Sequence, residues 1–297
     1  MDTFSSCHPL ISFVFYLFAI GIPVFYLHPV FLAIGLAAAV VYYVYLKGGA
    51  SFGKIALFIL PAVILASVIN PLIVHQGETM LWYLPNGNPV TLEAIFYGLG
   101  AGFMLAGVIT WFASFQEVMT SDKFMYLFSK SFPAAALLLS MTMRFVPRFM
   151  SQIKRIRQAQ LCVGRDLTNG TIRQKLAHGM TIFSIAVTWA LENSVETADS
   201  MKSRGYGLRG RTNYSIYRLD SRDRLTLAVM AAEIIAVILM IRSRWVYILY
   251  YPLFTINAPD WRAVTCFAVY ALFCLTPVIM GVSEDLHWKR IQNDTVI

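Results

Sequence analysis

The chain has 297 residues, of which 58% are hydrophobic and only 13% are charged, and its mean hydropathy is +0.62. Soluble domains carry about 25% charged residues, so this composition excludes an ordinary soluble enzyme and is typical of a polytopic membrane protein. The net charge of +8 is concentrated in residues 115–224, which hold 17 Lys/Arg and 8 Asp/Glu. A basic segment tethered between apolar segments indicates a cytosolic region beside a membrane and argues against a free nucleic-acid-binding domain.

Six apolar stretches, each close to the roughly 20 residues that cross a bilayer, predict membrane-spanning helices. In chain order they are 10–27, 29–46, 55–74, 91–114, 225–241 and 261–280, and a Tyr-rich stretch at 245–256, broken by Pro252, predicts a short interfacial piece. We therefore predict an all-α, polytopic membrane protein. Its predicted regions are N-terminal transmembrane helices at 1–114, long cytosolic helices at 115–224, and C-terminal transmembrane segments with a cytosolic tail at 225–297.

The distribution of Lys and Arg predicts the orientation of these helices in a cell membrane. A cytosolic N-terminus places Lys47, Lys54, the segment 115–224 and the basic tail 287–290 in the cytosol. It leaves the loop 75–94, which has no Lys or Arg, outside. Three arginines, Arg242, Arg244 and Arg262, do not follow this pattern.

Two stretches imitate known motifs. GGASFGKI (48–55) nearly spells a phosphate-binding loop, but Ile55 replaces the hydroxyl residue that should hold magnesium, so we interpret it as a loop between spans. EAIFYGLGAG (93–102) is similar to the EAA loop of classical ABC permeases, but it lies at the outer start of a span. We interpret its glycines as helix-packing positions.

Residue types that carry catalysis or bind metals are scarce. The four cysteines form no CxxC pair, and the five histidines are scattered, so we expect polar or surface histidines and no metal site. We find no Ser/His/Asp set or paired carboxylates, and we expect no catalytic residue and no directly bound cofactor. Glu233 lies inside a predicted span, where it either has a functional role or pairs with a nearby polar group.

The basic segment predicts three helices. Residues 120–130 follow the cap candidates Thr120 and Ser121, and 131–160 begins near Pro133 and should be kinked or split at Pro147. A second long helix is predicted over 173–207. Its residues at helical spacing form one stripe, which consists of Ala186, Ala190, Asn193, Thr197, Met201 and Arg204.

Both long helices end in a glycine beside an arginine. Arg204 and Gly205 end the second helix, and Gly164 and Arg165 end the first. Such an end is either a capped, solvated terminus, or a docking tip whose guanidinium binds a carboxylate or free helix-end carbonyls on a partner.

The run TSDKFMYLFSKSFPAAALLLSMTMRFVPRFMSQIKRIRQAQ (120–160), followed by SMKSRGYG (200–207), resembles the T component of energy-coupling factor (ECF) type ABC transporters. Residues 70–102 and the N-terminal HPL (8–10) are also similar to that family. The resemblance implies a non-catalytic membrane subunit with long coupling helices. In that family two helix tips engage two cytosolic ATPases, which use ATP-Mg, and a small membrane S component captures a vitamin or metal ion.

The resemblance also implies site residues. Ser203, Arg204 and Gly205 match the second arginine motif, which is typically Ala-Arg-Gly. If Ala159 and Gln160 match the family's Ala-Gln, Val163 falls at the first arginine position, followed by Gly164 and Arg165. Either Arg165 acts one residue late or this contact is apolar.

Further contacts are expected from the implied mechanism, in which the tips follow closure of the ATPase dimer. We expect four residues, Phe124, Met125, Leu127 and Phe128, to pack on the S component or lie at the membrane surface. We expect Ala186 and Ala190 to allow the helices to slide. Two alternatives remain: a membrane scaffold with a basic lipid-binding surface, and a classical ABC permease that binds substrate itself.

Overall fold

The structure is a computed structural model that describes residues 3–49, 51–83, 87–129, 132–165, 171–206, 217–256 and 260–295. The described residues are mostly α-helical, which confirms the predicted all-α class. The chain divides into two compact units. Unit 1 comprises Met1–Phe124 and Tyr217–Ile297, and unit 2 comprises Met125–Ile216.

Ten helices lie in the described part of the chain. They are α1 (Thr3–Ser6), α2 (Pro9–Phe25), α3 (Pro29–Lys47), α4 (Ser51–Ile73), α5 (Leu92–Val118), α6 (Ser121–Ser129), α7 (Pro133–Cys162), α8 (Ile172–Ser203), α9 (Ser221–Arg242) and α10 (Trp261–Thr295). Among the described residues, α3, α4, α5, α9 and α10 are long and apolar enough to span a membrane, and α2 is a shorter apolar helix. These six helices coincide with the six predicted spans.

Within the described ranges, two short antiparallel hairpins interrupt the helices. Strand β1 (Met80–Tyr83) pairs with β2 (Pro89–Thr91), and β3 (Ile248–Leu249) pairs with β4 (Thr255–Ile256). The second hairpin occupies the Tyr-rich stretch for which the sequence predicts a short interfacial piece. Both hairpins connect consecutive helices of unit 1, so they leave the helical class unchanged.

The long helices of unit 1 run in alternating directions, so their connections gather at two ends. We call one of these ends the basic end. There, polar contacts join Lys47 to Glu117 at 2.5 Å, Tyr45 to Asp285 at 2.7 Å, and Arg222 to Glu284 at 3.3 Å. At the opposite end, the Tyr26 hydroxyl donates to the Val246 carbonyl and the Tyr250 hydroxyl donates to the Leu27 carbonyl, both at 2.6 Å. This arrangement matches the alternating topology expected from the sequence.

Lys123 closes the basic end of unit 1 from the start of α6. Its side chain is only 8% exposed. Its ammonium donates to the carbonyl of Val118, the last residue of α5, at 2.8 Å, and also to the carbonyl of Ser5 in α1. A cation is favourable at the negative end of a helix, which explains why a lysine is buried here.

Helices α4 and α5 approach closely because glycines face the contact. A Cβ atom built on Gly102 would lie 3.0 Å from the Val63 carbonyl oxygen, and one on Gly98 would lie 3.3 Å from the Ala66 carbonyl oxygen. Small residues one turn apart allow helix backbones to meet in a membrane. The interpretation of 93–102 as a helix-packing segment is therefore confirmed.

Aromatic side chains fill the core of unit 1. The fully buried rings of Phe4, Phe15 and Trp111 meet edge to face, with centroids 5.3 Å apart in both the Phe4–Phe15 and Phe15–Trp111 pairs. Tyr16 and Tyr42 extend the same cluster. Edge-to-face contacts add stabilisation beyond the area that they bury.

The expectation of polar or surface histidines is wrong for His8 and His28, which are 6% and 2% exposed. Each is the N-cap of a helix with proline at its first position, and each Nδ1 accepts a backbone N–H two residues on, at 3.2 Å from Leu10 and 3.3 Å from Val30. Such a cap requires a neutral ring. Burial of His28 lowers its pKa from 6.5 to about 4.

Unit 2 contains the two longest helices of the basic segment, α7 and α8. Helix α7 continues through Pro147, so the predicted split does not occur. The Phe149 and Trp189 rings meet at 84° with centroids 5.5 Å apart, near the middle of both helices, and the Arg148 guanidinium lies 5.8 Å from the Trp189 ring centroid. Ser131, in the predicted start of this helix, lies outside the described residues.

The face of α8 predicted to be a packing stripe is its less exposed face. Asn193 is buried, and Ala186, Ala190, Thr197 and Met201 are half-buried, whereas most neighbouring positions are exposed. Arg204, at the end of the stripe, is exposed. The helical periodicity of the sequence thus identified the orientation of α8 correctly.

Candidate functional site at two helix ends

Helix α8 ends in a Schellman motif, the cap in which a glycine reverses the chain and its neighbours bond back to the last turn. Arg204 is the C-cap, and Gly205 follows with φ +76°. The Gly205 N–H donates to the Lys202 carbonyl and the Tyr206 N–H to the Met201 carbonyl, both at 3.1 Å. The carbonyls of Met201 and Lys202 are therefore satisfied while the Arg204 side chain remains exposed.

Helix α7 ends in the same motif. Val163 is the C-cap, and Gly164 follows with φ +80°. The Gly164 N–H donates to the Leu161 carbonyl at 3.0 Å, and the Arg165 N–H donates to the Gln160 carbonyl at 2.9 Å. Glycine adopts this left-handed conformation without the steric cost that a Cβ would add, which explains its presence at both helix ends.

The other predicted tip residues lie around these caps. Ser203 is exposed, and its hydroxyl donates to the Ser200 carbonyl at 2.8 Å. On α7, Ala159 is exposed and Gln160 is half-buried. The Gln160 side-chain oxygen lies 3.4 Å from Nη1 of Arg165. Their docking roles stay predictions.

The electrostatics of unit 2 are strongly positive. Residues 125–216 hold 13 Lys/Arg and four Asp/Glu. At the end of α8, Lys202 and Arg204 lie at the negative pole of the helix, where cations are favourable. The last turn of α7 carries no basic residue, and its exposed side chains include Leu161 and Val163. The two ends therefore share a backbone geometry and differ in charge.

The second set of predicted residues lies on α6 and α8. Phe124 and Phe128 are exposed at 39% and 37%, and Met125 and Leu127 are half-buried. Ala186 and Ala190 lie on the less exposed face of α8. Part of the apolar surface of Phe124 and Phe128 is thus exposed to solvent, and contact with an S component stays a prediction.

Sequence reasoning missed the contact between Phe149 and Trp189. It also missed an exposed apolar stripe on α7 at helical spacing, which consists of Leu139, Met143, Val146, Met150 and Ile153. The spacing of 4, 3, 4 and 3 residues is visible in the sequence and could have identified the stripe. Helical spacing could not identify Phe149 as the partner of Trp189, because the two residues lie 40 positions apart in the chain.

Glu233 lies near the middle of α9, a candidate span. One of its carboxylate oxygens is buried and has no hydrogen-bond partner among the described residues. Within the described ranges, no three His, Cys, Asp or Glu side chains gather in a way that could hold a metal ion.

The fold defines a class: a multi-pass α-helical membrane protein that carries a basic unit with two exposed, capped helix ends. No family model matches the chain. The chain is similar to the energy-coupling factor transporter transmembrane protein EcfT of Macrococcus caseolyticus, with 30% identity over 96 residues, and to EcfT of Bacillus subtilis, with 31% identity over 101 residues. It is also 31% identical over 96 residues to EcfT 1 of Listeria monocytogenes.

These matches cover 32%, 33% and 32% of this chain and 36%, 38% and 36% of the respective relatives. The chain therefore spans a little over a third of the length of the curated relatives it matches. Over this part the chain is EcfT-like, which confirms the resemblance to the T component of ECF transporters.

Proposed function

We propose that this chain is the transmembrane coupling subunit of an ECF-type ABC importer. It transmits motion from two cytosolic ATPases, which bind and hydrolyse ATP-Mg, to a small membrane S component that captures a vitamin or metal ion. The observation that carries the proposal is the pair of long helices, in contact near their middles and each ending in an exposed Schellman cap.

The charge at the two ends of unit 1 supports a cytosolic basic end in a prokaryotic plasma membrane. Eight Lys/Arg of unit 1 fall at the basic end, against three at the opposite end. The eight are Lys47, Lys54, Lys123, Arg218, Arg222, Arg224, Lys289 and Arg290. By the positive-inside rule this end and the N-terminus face the cytosol, where ATPases are accessible.

The geometry of unit 2 suits the transmission of movement. With a rise of 1.5 Å per residue, Val163 lies about 21 Å along α7 from Phe149, and Arg204 lies about 22 Å along α8 from Trp189. These two helix segments, from the aromatic contact to each tip, are nearly equal in length. A rotation of about 10° at the aromatic contact would displace each tip by about 4 Å, given those arm lengths. Conversely, if closure of the ATPases moved each tip by a few ångströms, it would rotate the two helices about their contact by a small, defined angle.

Apolar surface on unit 2 supports a membrane partner. The exposed stripe of α7, from Leu139 to Ile153, is flanked by the basic residues Arg144, Arg148 and Lys154. An apolar stripe of this length on a helix indicates a binding surface. We assign it to the S component. Separately, we propose that Phe124, Met125, Leu127 and Phe128 of α6 contact the same partner or lie at the membrane surface.

Two charge reversals on one helix turn test the ATPase contact. The full chain is co-expressed with separately tagged ATPase subunits and an S component from its own genome, and the ATPases retained after detergent purification are quantified. Arg204→Glu should reduce their recovery at least tenfold, because loss of a buried charge-assisted contact costs roughly 2–5 kcal/mol. Lys202→Glu makes the same charge change at another exposed position. With this variant the recovery of the ATPases should stay within about twofold of wild type, because charges at the rim of an interface contribute little.

Each alternative function has its own outcome. Equal, small losses from Arg204→Glu and Lys202→Glu would favour a lipid-binding scaffold, in which many basic residues contribute about 1 kcal/mol each and none is special. Transport by the chain and its ATPases without any S component would favour a classical permease that binds substrate itself.

A further inference from the structure

Three arginines lie at the end of unit 1 that is opposite to the basic end, where the positive-inside rule makes basic residues uncommon. Arg242 is in the last turn of α9, Arg244 lies two residues further on, and Arg262 is the second residue of α10. All three are exposed. Among the described residues, salt bridges form at Lys47 and Arg222, and none involves these three arginines. Their hydrogen-bond donors are therefore available to a partner outside the chain.

The backbone of Arg244 adopts a conformation that normally selects glycine. Its φ is +56°, and it is the only non-glycine residue with positive φ in the described part of the chain. The Arg244 N–H donates to the Ile241 carbonyl at 3.0 Å and the Trp245 N–H to the Met240 carbonyl at 3.1 Å, which is the Schellman motif that ends α7 and α8 with glycine. A Cβ costs free energy at this position, so an arginine here indicates a role for its guanidinium.

Two tryptophans hold the arginines at one edge of unit 1. The rings of Trp245 and Trp261 have centroids 6.2 Å apart, which joins the end of α9 to the start of α10. The Arg262 guanidinium lies 5.5 Å from the Trp261 ring centroid, and the Asp260 carboxylate accepts the Trp261 N–H at 2.7 Å. Trp261 nevertheless remains 67% exposed. Because tryptophan is enriched at the level of lipid headgroups, this edge has the composition of a membrane interface.

The length of α9 also places the arginines at the headgroup level. Its 22 residues span about 33 Å at a rise of 1.5 Å per residue, close to the roughly 30 Å of a hydrocarbon core. Exposed apolar side chains continue the arginine face towards the middle of the helix, since Ile235, Ile238 and Leu239 lie seven, four and three residues before Arg242. A ligand at this face meets guanidinium groups at one end and hydrocarbon along its length.

We propose that Arg242, Arg244 and Arg262 bind the phosphate of an anionic phospholipid, in the leaflet that faces away from the basic end, with its acyl chains along the apolar face of α9. Guanidinium groups present planar sets of donors that match phosphate oxygens, and hydrogen bonds between charged partners are the stronger ones. A choline headgroup carries its own cation beside the phosphate, so three arginines without a carboxylate partner favour a headgroup without one. This site goes beyond the proposed function and does not depend on it.

Native mass spectrometry of the delipidated full chain counts bound lipids directly. The chain is titrated with phosphatidylglycerol and, in parallel, with phosphatidylcholine of the same acyl chains. The double variant Arg242→Gln/Arg262→Gln should lose one phosphatidylglycerol that the wild-type chain retains. The affinity for this lipid should fall by roughly tenfold or more, since a hydrogen bond to a charged group is worth about tenfold in affinity. Phosphatidylcholine binding should not change.

Arg290→Gln is the matched control, because it removes an exposed arginine at the basic end. It should retain the phosphatidylglycerol that the double variant loses. Equal losses from the control and the double variant, or equal retention of the two lipids by the wild-type chain, would overturn the proposal.

Arg244→Gly separates lipid binding from a role in folding. Glycine adopts positive φ without a steric cost, so this variant should keep or raise the thermal unfolding midpoint in lipid-free detergent. It should also lose most of the rise in midpoint that phosphatidylglycerol gives the wild-type chain, whereas Arg244→Lys, which retains the charge, should keep more of that rise. A lower midpoint of Arg244→Gly without lipid, or an undiminished rise with lipid, would contradict the assignment.

Competition distinguishes a lipid from a free phosphate. Inorganic phosphate and glycerol phosphate carry the same oxygens without acyl chains, so neither should displace phosphatidylglycerol from the wild-type chain even in large excess. Displacement by either of them at the concentration at which phosphatidylglycerol itself competes would show a phosphate site and refute a lipid site.

Discussion

The close approach of α4 and α5 makes a quantitative prediction for two glycines of the same helix. Gly102→Ala places a new Cβ atom 3.0 Å from the carbonyl oxygen and 3.1 Å from the Cα of Val63, both backbone atoms of α4. A backbone cannot rotate away as a side chain can, so the helices must separate by a few tenths of an ångström. Gly107→Ala is the matched control, because its Cβ would meet no atom within 4 Å among the described residues.

The two substitutions should have opposite signs. Replacement of glycine by alanine inside a helix gains about 0.8–1 kcal/mol from backbone conformation at either position. Crowding at Gly102 opposes this gain with the roughly 1–3 kcal/mol typical of an overpacked site. Gly107→Ala should therefore stabilise the protein, and Gly102→Ala should destabilise it by up to about 2 kcal/mol on the same figures.

Thermal unfolding of the detergent-solubilised full chain measures this difference, with tryptophan fluorescence and size-exclusion recovery as independent readouts. Gly102→Leu extends the series, since a larger side chain cannot fit without displacing α4 and should abolish recovery of folded protein. Equal stabilisation by Gly102→Ala and Gly107→Ala would contradict this prediction, because it would mean that the two helices do not meet at Val63.

Three further predictions concern the cap, the helix contact and pH. Gly164→Ala should raise the rate of amide hydrogen exchange over residues 160–165 about fivefold or more, since a Cβ at positive φ costs roughly 1–2 kcal/mol. Gly164→Asn should raise this exchange rate by a smaller factor. Unchanged exchange in Gly164→Ala would exclude the Schellman cap. Under the proposed coupling function, Trp189→Ala should uncouple transport from ATP hydrolysis while the proposed ATPase partners still co-purify, because the contact with Phe149 is lost, and Trp189→Phe should retain coupling. Normal transport by Trp189→Ala would show that this contact does not transmit movement between α7 and α8. The pKa of His28 is about 4 in the folded state and 6.5 ordinarily, so its contribution to the free energy of unfolding is complete above pH 6.5 and should fall by about 3 kcal/mol towards pH 4. The thermal unfolding midpoint of His28→Asn should lack that part of the pH dependence. Identical pH profiles of the wild-type chain and the variant would contradict the buried neutral cap.

Much of this fold could be predicted from the sequence because its signals are local. The six apolar helices follow from hydropathy, which depends on consecutive residues and on the thickness of a bilayer. The less exposed face of α8, from Ala186 to Met201, follows from helical periodicity. The packing role of Gly98 and Gly102 follows from their small size at one-turn spacing. The neighbourhood of Arg204 and Gly205 likewise indicated a capped helix end before its backbone was known.

Other features depend on contacts that no local pattern contains. The sequence left open whether Arg165 acts one residue late or the first contact is apolar, and that choice stays a prediction. The structure adds that the N–H groups of Gly164 and Arg165 bond back to the preceding turn, which makes Val163 the C-cap. His28 looks like an ordinary polar residue until the helices of unit 1 bury it. Phe149 and Trp189 acquire a role only as a pair.

The class of this protein, its apolar helices and the positive charge of its central segment could all be predicted from residue order alone, because hydropathy, periodicity and charge are properties of short stretches. Which residue stands at the C-cap of each tip, and where the two long helices meet, emerged only from the folded backbone. Those outcomes depend on the path of the backbone through a cap and on packing between residues that are distant in the chain.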